Sequence, residues 1–197
     1  MFQTSTPDPY FLFKIENAIN LNDAADIRTY GKLLGLSDDD INKLIQDAAD
    51  FQAENQVAGT YGVQLSKDQA QLTTDQNQLN SDQSQLNTDT SALATLTSQY
   101  QWIQSTLQTE YELYKAVGDT SDMDNAEEQM QISSAQYSTS SATQNEKIAK
   151  DNAVILTDTT TISADKANIQ DDQNLVDAAT TQISVTETAM QIILKLV

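Results

Sequence analysis

A seven-residue repeat governs most of this chain. Leucine recurs at this spacing in one series, and isoleucine, valine or methionine does so in a second series nearer the carboxyl end. A strict spacing of seven puts apolar side chains on one helix face and makes paired helices supercoil. The sequence therefore predicts two long helices that pair along their stripes. The first stripe is Leu65, Leu72, Leu79, Leu86 and Leu93, and the second is Ile148, Ile155, Ile162, Ile169 and Val176, continued by Ile183, Met190 and Val197.

The two series match each other as the arms of an antiparallel hairpin. When Leu65 is paired with Val176 and Leu93 with Ile148, the two residue numbers have the same total in every pair. This pairing puts the fold-back between Thr120 and Ser121. Residues 118–122, Gly-Asp-Thr-Ser-Asp, form a turn-like cluster at the same point.

Aspartates accompany both stripes, three positions after the aliphatic residue. They occupy alternate layers of the predicted pairing, so each heptad buries about one large side chain per helix, where a strong coiled coil buries two. We expect the stem to be less stable than an ordinary coiled coil and to pack against further helices. We interpret the aspartates as solvated stripes that preserve solubility and register. These residues are Asp68, Asp75, Asp82 and Asp89 in the first arm and Asp151, Asp158, Asp165 and Asp172 in the second.

The predicted pairing keeps these carboxylates apart. It places Asp82 opposite Thr159 or, with the other choice of inner positions, Asp158 opposite Gln83. In both cases we expect no aspartate of one arm to face an aspartate of the other.

The region before the repeat reads as a small helical cap. Residues 1–9 are polar and hold both prolines, so we expect them to be flexible. Apolar residues at helical spacing predict a helix around 11–19, residues 21–30 predict a second short helix before Gly31, and Ser37 followed by three aspartates predicts a helix start. The predicted fold is all-α, with a cap at 10–60 and a coiled-coil hairpin at 61–197, whose arms span about 61–117 and 123–197.

Two further apolar groups are candidates for binding. Trp102, Tyr111 and Leu113 lie off the hairpin stripe and form a candidate partner patch. The carboxyl-terminal segment has too many apolar residues for one helix face, so it predicts a lid on the cap core, an assembly surface between subunits or a contact with a membrane. Its candidate residues are Met190, Ile192, Ile193, Leu194, Leu196 and Val197.

The amino-acid composition excludes several catalytic mechanisms and kinds of metal site. The chain has no His and no Cys, which excludes imidazole acid–base catalysis, thiol nucleophiles and metal sites built from those ligands. Carboxylates remain, but a narrow hairpin offers no apolar pocket to shift a pKa. We therefore expect no enzyme, with no catalytic residue, cofactor or bound metal.

The net charge and the hydropathy of the chain limit the kinds of binding partner that we expect. Lys and Arg number 10 against 29 Asp and Glu, for a net charge of −19, so phosphate backbones are repelled and no nucleic-acid partner is expected. No stretch approaches the roughly 20 apolar residues that span a bilayer. The amino-terminal residues lack the pattern of a signal peptide.

The layout resembles that of the needle-tip and needle-filament proteins of type III secretion systems. The shared features are a small helical start containing Thr4, Ser5 and Thr6, a long hairpin, no Cys, and an apolar carboxyl end at 191–197. The resemblance implies secretion without a cleaved signal peptide, and subunit contacts made by the terminal helix. Tip proteins usually carry an insertion between the hairpin helices, whereas the predicted turn here is short.

Three functions follow from these features. The first is a structural subunit, such as an extracellular filament or tip component, that self-associates through exposed helix faces. The second is a membrane-active, pore-forming toxin subunit whose hairpin rearranges to expose apolar surface. The third is an intracellular coiled-coil adaptor that presents the turn end to a protein partner.

The stem pairing makes a prediction of its own. Leu79→Asp removes an aliphatic layer, so we expect the melting temperature to fall by about 2–4 °C or more. Thermal unfolding followed by circular dichroism measures this. An unchanged melting temperature would mean that the leucine stripe is not buried.

Overall fold

The computed structural model describes residues 8–195, which form four helices. These are α1 (Pro9–Asn20), α2 (Ala24–Leu34), α3 (Asp38–Val117) and α4 (Thr120–Leu194). No strand occurs among the described residues. Helices α3 and α4 pack against each other as a hairpin, and α1 and α2 belong to a small cap. The predicted all-α class, cap and hairpin are confirmed. The flexible start predicted for residues 1–9 falls mostly on residues 1–7, outside the described part.

The chain divides into two compact units. The cap unit comprises residues 1–70 and 166–197, and the turn unit comprises residues 71–165. The cap boundary predicted near residue 60 coincides with no break, because α3 continues through it as one helix.

The core of the cap unit draws on all four helices. Helix α1 begins at the cap residue Asp8, whose carboxylate accepts a hydrogen bond from the amide of Tyr10 at 2.9 Å. The start of α3 and the end of α4 cover the buried faces of α1 and α2. The buried residues are Ile15, Ala18, Ile19, Ile27, Leu36, Ile41, Leu44, Ala48, Met190, Ile193 and Leu194. The largest fully buried side chains of the described residues all lie in this one core.

Helix α2 extends past the glycine at which it was expected to end. It begins at Ala24, runs through Gly31 to Leu34, and ends at Gly35, which adopts a left-handed φ of 85°. Gly31 serves packing, because a Cβ built on it would lie 2.8 Å from Cγ1 of Ile41. Its missing side chain lets α2 approach α3 closely, and Gly35 supplies the conformation that stops the helix.

The helix start predicted at Ser37 is confirmed. The amide of Asp40 donates to the Ser37 hydroxyl oxygen at 3.2 Å, and Asp38, Asp39 and Asp40 occupy the first turn of α3. Their negative charges lie at the positive end of the helix dipole, where they are favourable.

The turn comes slightly earlier than predicted. Helix α3 ends at Val117 and α4 begins at Thr120, so Gly118 and Asp119 form the connection. Gly118 has a left-handed φ of 78°, and the Asp119 carboxylate accepts the amide of Asp122 at 3.2 Å, as a helix cap. The predicted fold-back, between Thr120 and Ser121, falls inside the first turn of α4.

This small difference changes which residues face each other in the turn unit. Tyr100 stacks on Tyr137 with ring centroids 4.3 Å apart, and Gln104 donates to the Ser133 hydroxyl at 2.5 Å. Both pairs are symmetric about the bond between Gly118 and Asp119. The predicted pairing would instead put Tyr100 opposite Ser141 and Gln104 opposite Tyr137, about one helical turn away.

The close approach at Gly31 can be tested with one methyl group. Gly31→Ala should destabilise the protein by about 1 kcal/mol, because overpacking a buried site costs about 1–3 kcal/mol and outweighs the gain of about 0.5–1 kcal/mol from replacing a helical glycine. Chemical denaturation measures the change. Gly59→Ala is the control: its Cβ meets nothing within 4 Å, so the same exchange in α3 should be neutral or stabilising. Equal effects at both positions would contradict the packing role of Gly31.

Candidate functional site

The aspartates of the two long helices meet inside the hairpin. The carboxyl of Asp151 lies within hydrogen-bonding reach of Asp89, and that of Asp158 lies within reach of Asp82. In the cap unit, Asp172 and Asp68 form the same arrangement. The expectation that no aspartate of one arm faces an aspartate of the other is wrong, because both helices place these aspartates at inner positions.

Each aspartate of the α3 repeat accepts a hydrogen bond from a glutamine of its own helix. The side-chain amide of Gln64 donates to Asp68 at 2.7 Å, four residues further along α3. The same bond recurs along the repeat as Gln71 to Asp75 at 2.9 Å, Gln78 to Asp82 at 3.0 Å and Gln85 to Asp89 at 3.1 Å. The repeated spacing of Gln and Asp was the sequence signal for this ladder, and our sequence analysis left it unused.

Asp89 has the most complete set of donors. Only 8% of this residue is exposed. The amide of Gln144 on α4 donates to one of its carboxylate oxygens at 2.9 Å, and Gln85 donates to the other. These hydrogen bonds, first from Gln144 and then from Gln85, lower the pKa of Asp89 below its usual value of 3.8. Asp89 is thus kept ionised.

The facing aspartates of α4 have the opposite character. In Asp151, Asp158 and Asp172 one carboxyl oxygen, Oδ2, is buried and receives no hydrogen bond. Burial first, and then the neighbouring aspartate of α3, raises the pKa of each of these three groups above 3.8. Since the stem is only two helices wide, water lies close to these groups. The pKa of Asp89 is therefore lowered while that of its neighbour Asp151 is raised.

The predicted hairpin stripes take inner positions in both units. Most of their residues are half-buried, and Ile162 is buried with 7% of its surface exposed. The half-buried residues are Leu65, Leu72, Leu79, Leu86 and Leu93 on α3, and Ile148, Ile155, Ile169 and Val176 on α4. Aliphatic and carboxyl groups alternate along each inner face.

The carboxyl-terminal candidates split into two groups. Met190, Ile193 and Leu194 are buried in the cap core, which corresponds to the lid, one of the three interpretations of this segment. They are unavailable to another subunit while the cap is folded. Ile192 points outward and is 58% exposed. The remaining candidates, Leu196 and Val197, lie outside the described residues.

The candidate patch near the turn is only partly exposed. Trp102 is 70% exposed and Leu113 is also open to solvent, whereas Tyr111 is half-buried. Tyr111 occupies an inner position on the hairpin, in step with Leu107 and Tyr114. Trp102 and Leu113 therefore lie on the surface, and Tyr111 lies on the inner face of the stem.

A second apolar stripe, not recognised in the sequence, follows the outside of α4. We call it the outer stripe: its residues are exposed, and their spacing keeps them on one helix face. Leu156, its largest member in the turn unit, is 69% exposed. The outer stripe comprises Ala149, Ala153, Leu156 and Ala164 in the turn unit, and Ala167, Leu175, Ala178, Val185 and Ile192 in the cap unit.

The outward side of α3 is different. Between Gln64 and Gln99 this helix exposes no large apolar side chain, and its exposed residues are mainly Gln, Asn, Ser and Thr. Many of the hydroxyls bond to the carbonyl four residues earlier, as Thr88 does to Ser84 at 3.0 Å. Polar groups on this face are thus occupied by their own helix, and this stretch of α3 has no counterpart of the outer stripe.

The cap unit also has a groove of about 390 Å³. Glu16 and Glu187 lie on its rim, and Phe51, Met190 and Leu194 line it. Within residues 8–195, no cluster of three or more His, Cys, Asp or Glu side chains is placed to hold a metal ion. In the same range, no helix has the length and apolar character needed to cross a membrane.

Comparisons were made with protein-family models, with curated proteins and with solved structures. None of them finds a match to this chain.

Proposed function

We propose that this protein is a non-enzymatic structural subunit that assembles with further copies of itself through the outer stripe of α4. The observation that carries the proposal is the exposure of large aliphatic side chains at helical spacing along that face, Leu156, Leu175 and Val185 among them. Exposed apolar stripes of this kind commonly mark sites where another helix packs.

The small residues of the stripe favour a helix as the occupant. Ala149, Ala153 and Ala164 in the turn unit, and Ala167 and Ala178 in the cap unit, leave room between the large side chains. Large side chains of a second α4 can enter these spaces, as ridges enter grooves in helix packing. A second copy of the chain supplies a matching face without any further partner, and a symmetric pair of identical faces is the commonest form of assembly.

Net charge sets the conditions for this assembly. Two copies that each carry −19 repel one another at low ionic strength. The outer stripe has few charges of its own, Asp171 being the one aspartate that interrupts it in the cap unit. Association through this face should therefore strengthen as salt screens the repulsion.

An extracellular filament subunit, the role implied by the resemblance to needle-tip and needle-filament proteins, is one form that such an assembly takes. Its contacts would be made by the outer stripe, since Met190, Ile193 and Leu194 belong to the cap core. Secretion without a cleaved signal peptide is part of this proposal.

The assembly face can be tested by adding charge to it. In the double variant Leu156→Glu/Leu175→Glu we expect association to weaken by at least about tenfold, because each leucine contributes about 1.5–3 kcal/mol when buried. Sedimentation velocity over a range of protein concentrations, at moderate salt, measures the mass. Circular dichroism should show unchanged helix content, since both side chains are exposed in the monomer.

The control adds the same charge to the polar side of the stem. Gln76→Glu/Gln83→Glu alters two exposed residues of α3, and it should associate like the unaltered protein. The proposal is wrong if the unaltered chain stays monomeric at every concentration, or if both double variants associate equally. A monomer that releases dye from liposomes would favour the toxin function, and one that ignores liposomes would favour the adaptor.

A further inference from the structure

We propose that the outward face of α3 beside the turn is a docking site for a basic amphipathic helix of another protein. The site is a stripe at helical spacing, which we call the turn stripe: Trp102, Thr106, Thr109, Leu113 and Val117. It lies on a different helix from the outer stripe of α4, so the inference does not depend on the proposed assembly.

The turn stripe exposes three large apolar side chains. Trp102 and Val117 are each 70% exposed, and Leu113 is 61% exposed. At the helical rise, the stripe is about 22 Å long. Residues that α3 turns towards α4, such as Tyr100 and Leu107, are half-buried instead. The three side chains of the stripe therefore stay open to solvent after the two long helices have paired.

The threonines within the stripe make few polar demands on a partner. The hydroxyl of Thr106 donates to the carbonyl of Trp102 at 2.9 Å, and that of Thr109 donates to the carbonyl of Ser105 at 2.9 Å. A hydroxyl bonded to its own helix needs no other acceptor. An apolar side chain of a partner can therefore lie between Trp102 and Leu113 without leaving these donors unsatisfied.

The charge around the stripe is strongly negative. Residues 108–128 contain seven acidic side chains and one basic side chain, so their net charge is 1 − 7 = −6. All eight side chains are exposed, and the basic one, Lys115, lies 3.8 Å from Glu112. Helical geometry puts Glu110 and Glu112 on opposite borders of the stripe. The acidic residues are Glu110, Glu112, Asp119, Asp122, Asp124, Glu127 and Glu128.

Both arms of the hairpin contribute this charge at the level of the stripe. The stack of Tyr100 on Tyr137 and the hydrogen bond from Gln104 to Ser133 define how the arms pair near the turn. The same pairing puts residues 124–128 of α4 level with residues 109–113 of α3. Carboxylates of α4 therefore lie alongside the carboxyl-terminal half of the turn stripe.

This combination fits a helix that carries Lys or Arg on both sides of an apolar face. The apolar face covers the stripe, and the basic residues meet the carboxylates along its borders, which favours encounter and fixes the orientation of the partner. A Lys or Arg can also lie over the indole ring of Trp102. A second copy of this chain fits poorly, because it carries −19 and its own turn end repels this one.

The test uses Trp102 as the reporter, since the chain has a single tryptophan. The probe is a synthetic helical peptide of about 21 residues without tryptophan, with leucines at heptad positions a and d and lysines at e and g. We expect one peptide to bind per chain, to shift the Trp102 emission to shorter wavelength, and to bind more weakly as salt is added. The titration is done at a protein concentration where sedimentation velocity shows a monomer.

One leucine variant and its control locate the peptide. Leu113→Gln should weaken binding by at least about tenfold, because an anchor of the stripe is lost. Glutamine is a good helix former, so circular dichroism should show unchanged helix content. Leu156→Gln makes the same exchange at an exposed leucine of the outer stripe, and it should bind the peptide like the unaltered protein. Equal losses in the two variants would overturn the proposal.

A second pair of variants tests the carboxylates. Glu110→Gln/Glu112→Gln should weaken binding and make it less sensitive to salt. Asp171→Asn/Glu187→Gln removes the same charge from exposed positions of the cap unit, and it should change the affinity much less. Equal effects of the two pairs would mean that only the net charge of the chain attracts the peptide, which contradicts a site at the turn stripe.

The remaining outcomes are equally decisive. A peptide of the same composition with its leucines spread around the helix should bind at least about tenfold more weakly, because it has no apolar face to cover the stripe. The proposal is overturned if this peptide binds as tightly, or if neither peptide shifts the emission of Trp102. It is also overturned if the emission shifts with protein concentration alone, since a second copy then covers the stripe.

Discussion

The stem depends on a compromise between packing and charge. Two helices can pair along a stripe only if the residues at every inner position tolerate being enclosed, and in this hairpin every second inner residue of the repeat is an aspartate. A carboxylate loses hydration when a helix covers it, and a second carboxylate opposite adds repulsion. The glutamine ladder on α3 answers this problem by supplying a hydrogen-bond donor to each aspartate of the repeat. The aliphatic residues between the pairs supply the packing that holds the helices close.

This compromise explains the uneven distribution of stability. The cap unit gathers fully buried isoleucines and leucines from all four helices, whereas the turn unit has few buried residues besides Ala126, Ile162 and Asp89. Burial of aliphatic area is the main source of folding free energy. The cap core is therefore the more stable part of the chain, and the paired stem is the less stable part. Because the stem has polar layers inside and an apolar outer stripe, a further helix packed on that stripe would stabilise it.

Much of the fold could be predicted from periodicity alone. The spacing of Leu65 to Leu93 and of Ile148 to Val176 predicted two helices and their antiparallel order, and Ser37 predicted the start of α3. The pairing within the hairpin could not be predicted as well, because it depends on whether the chain reverses at Gly118 or at Thr120. A difference this small changes which residues lie opposite each other near the turn, such as Tyr100 and Tyr137, and local propensity does not distinguish between the two turns.

The candidate site was harder to predict for the same reason. The aspartates were recognised, but their meeting depends on the register, and the outer stripe is diluted by alanines that carry little hydropathy signal. The apolar carboxyl-terminal segment illustrates a further limit: sequence left a lid on the cap core as one of several interpretations, and the coordinates show that Met190 and Ile193 share a core with Ile15.

The cap core has a consequence for synthesis. Ile15 and Ile193 belong to one cluster although both long helices lie between them in the sequence, so the core cannot be completed until the ribosome has made α3 and nearly all of α4. The first two helices must wait, with their apolar faces uncovered, while the long arms elongate and reverse. Closing so large a loop is slow and entropically costly, and the reversal at Gly118 shortens the search by bringing the returning arm alongside the outgoing one. A nascent chain that stalls before its last turn of helix would expose the amino-terminal apolar faces to chaperones and proteases.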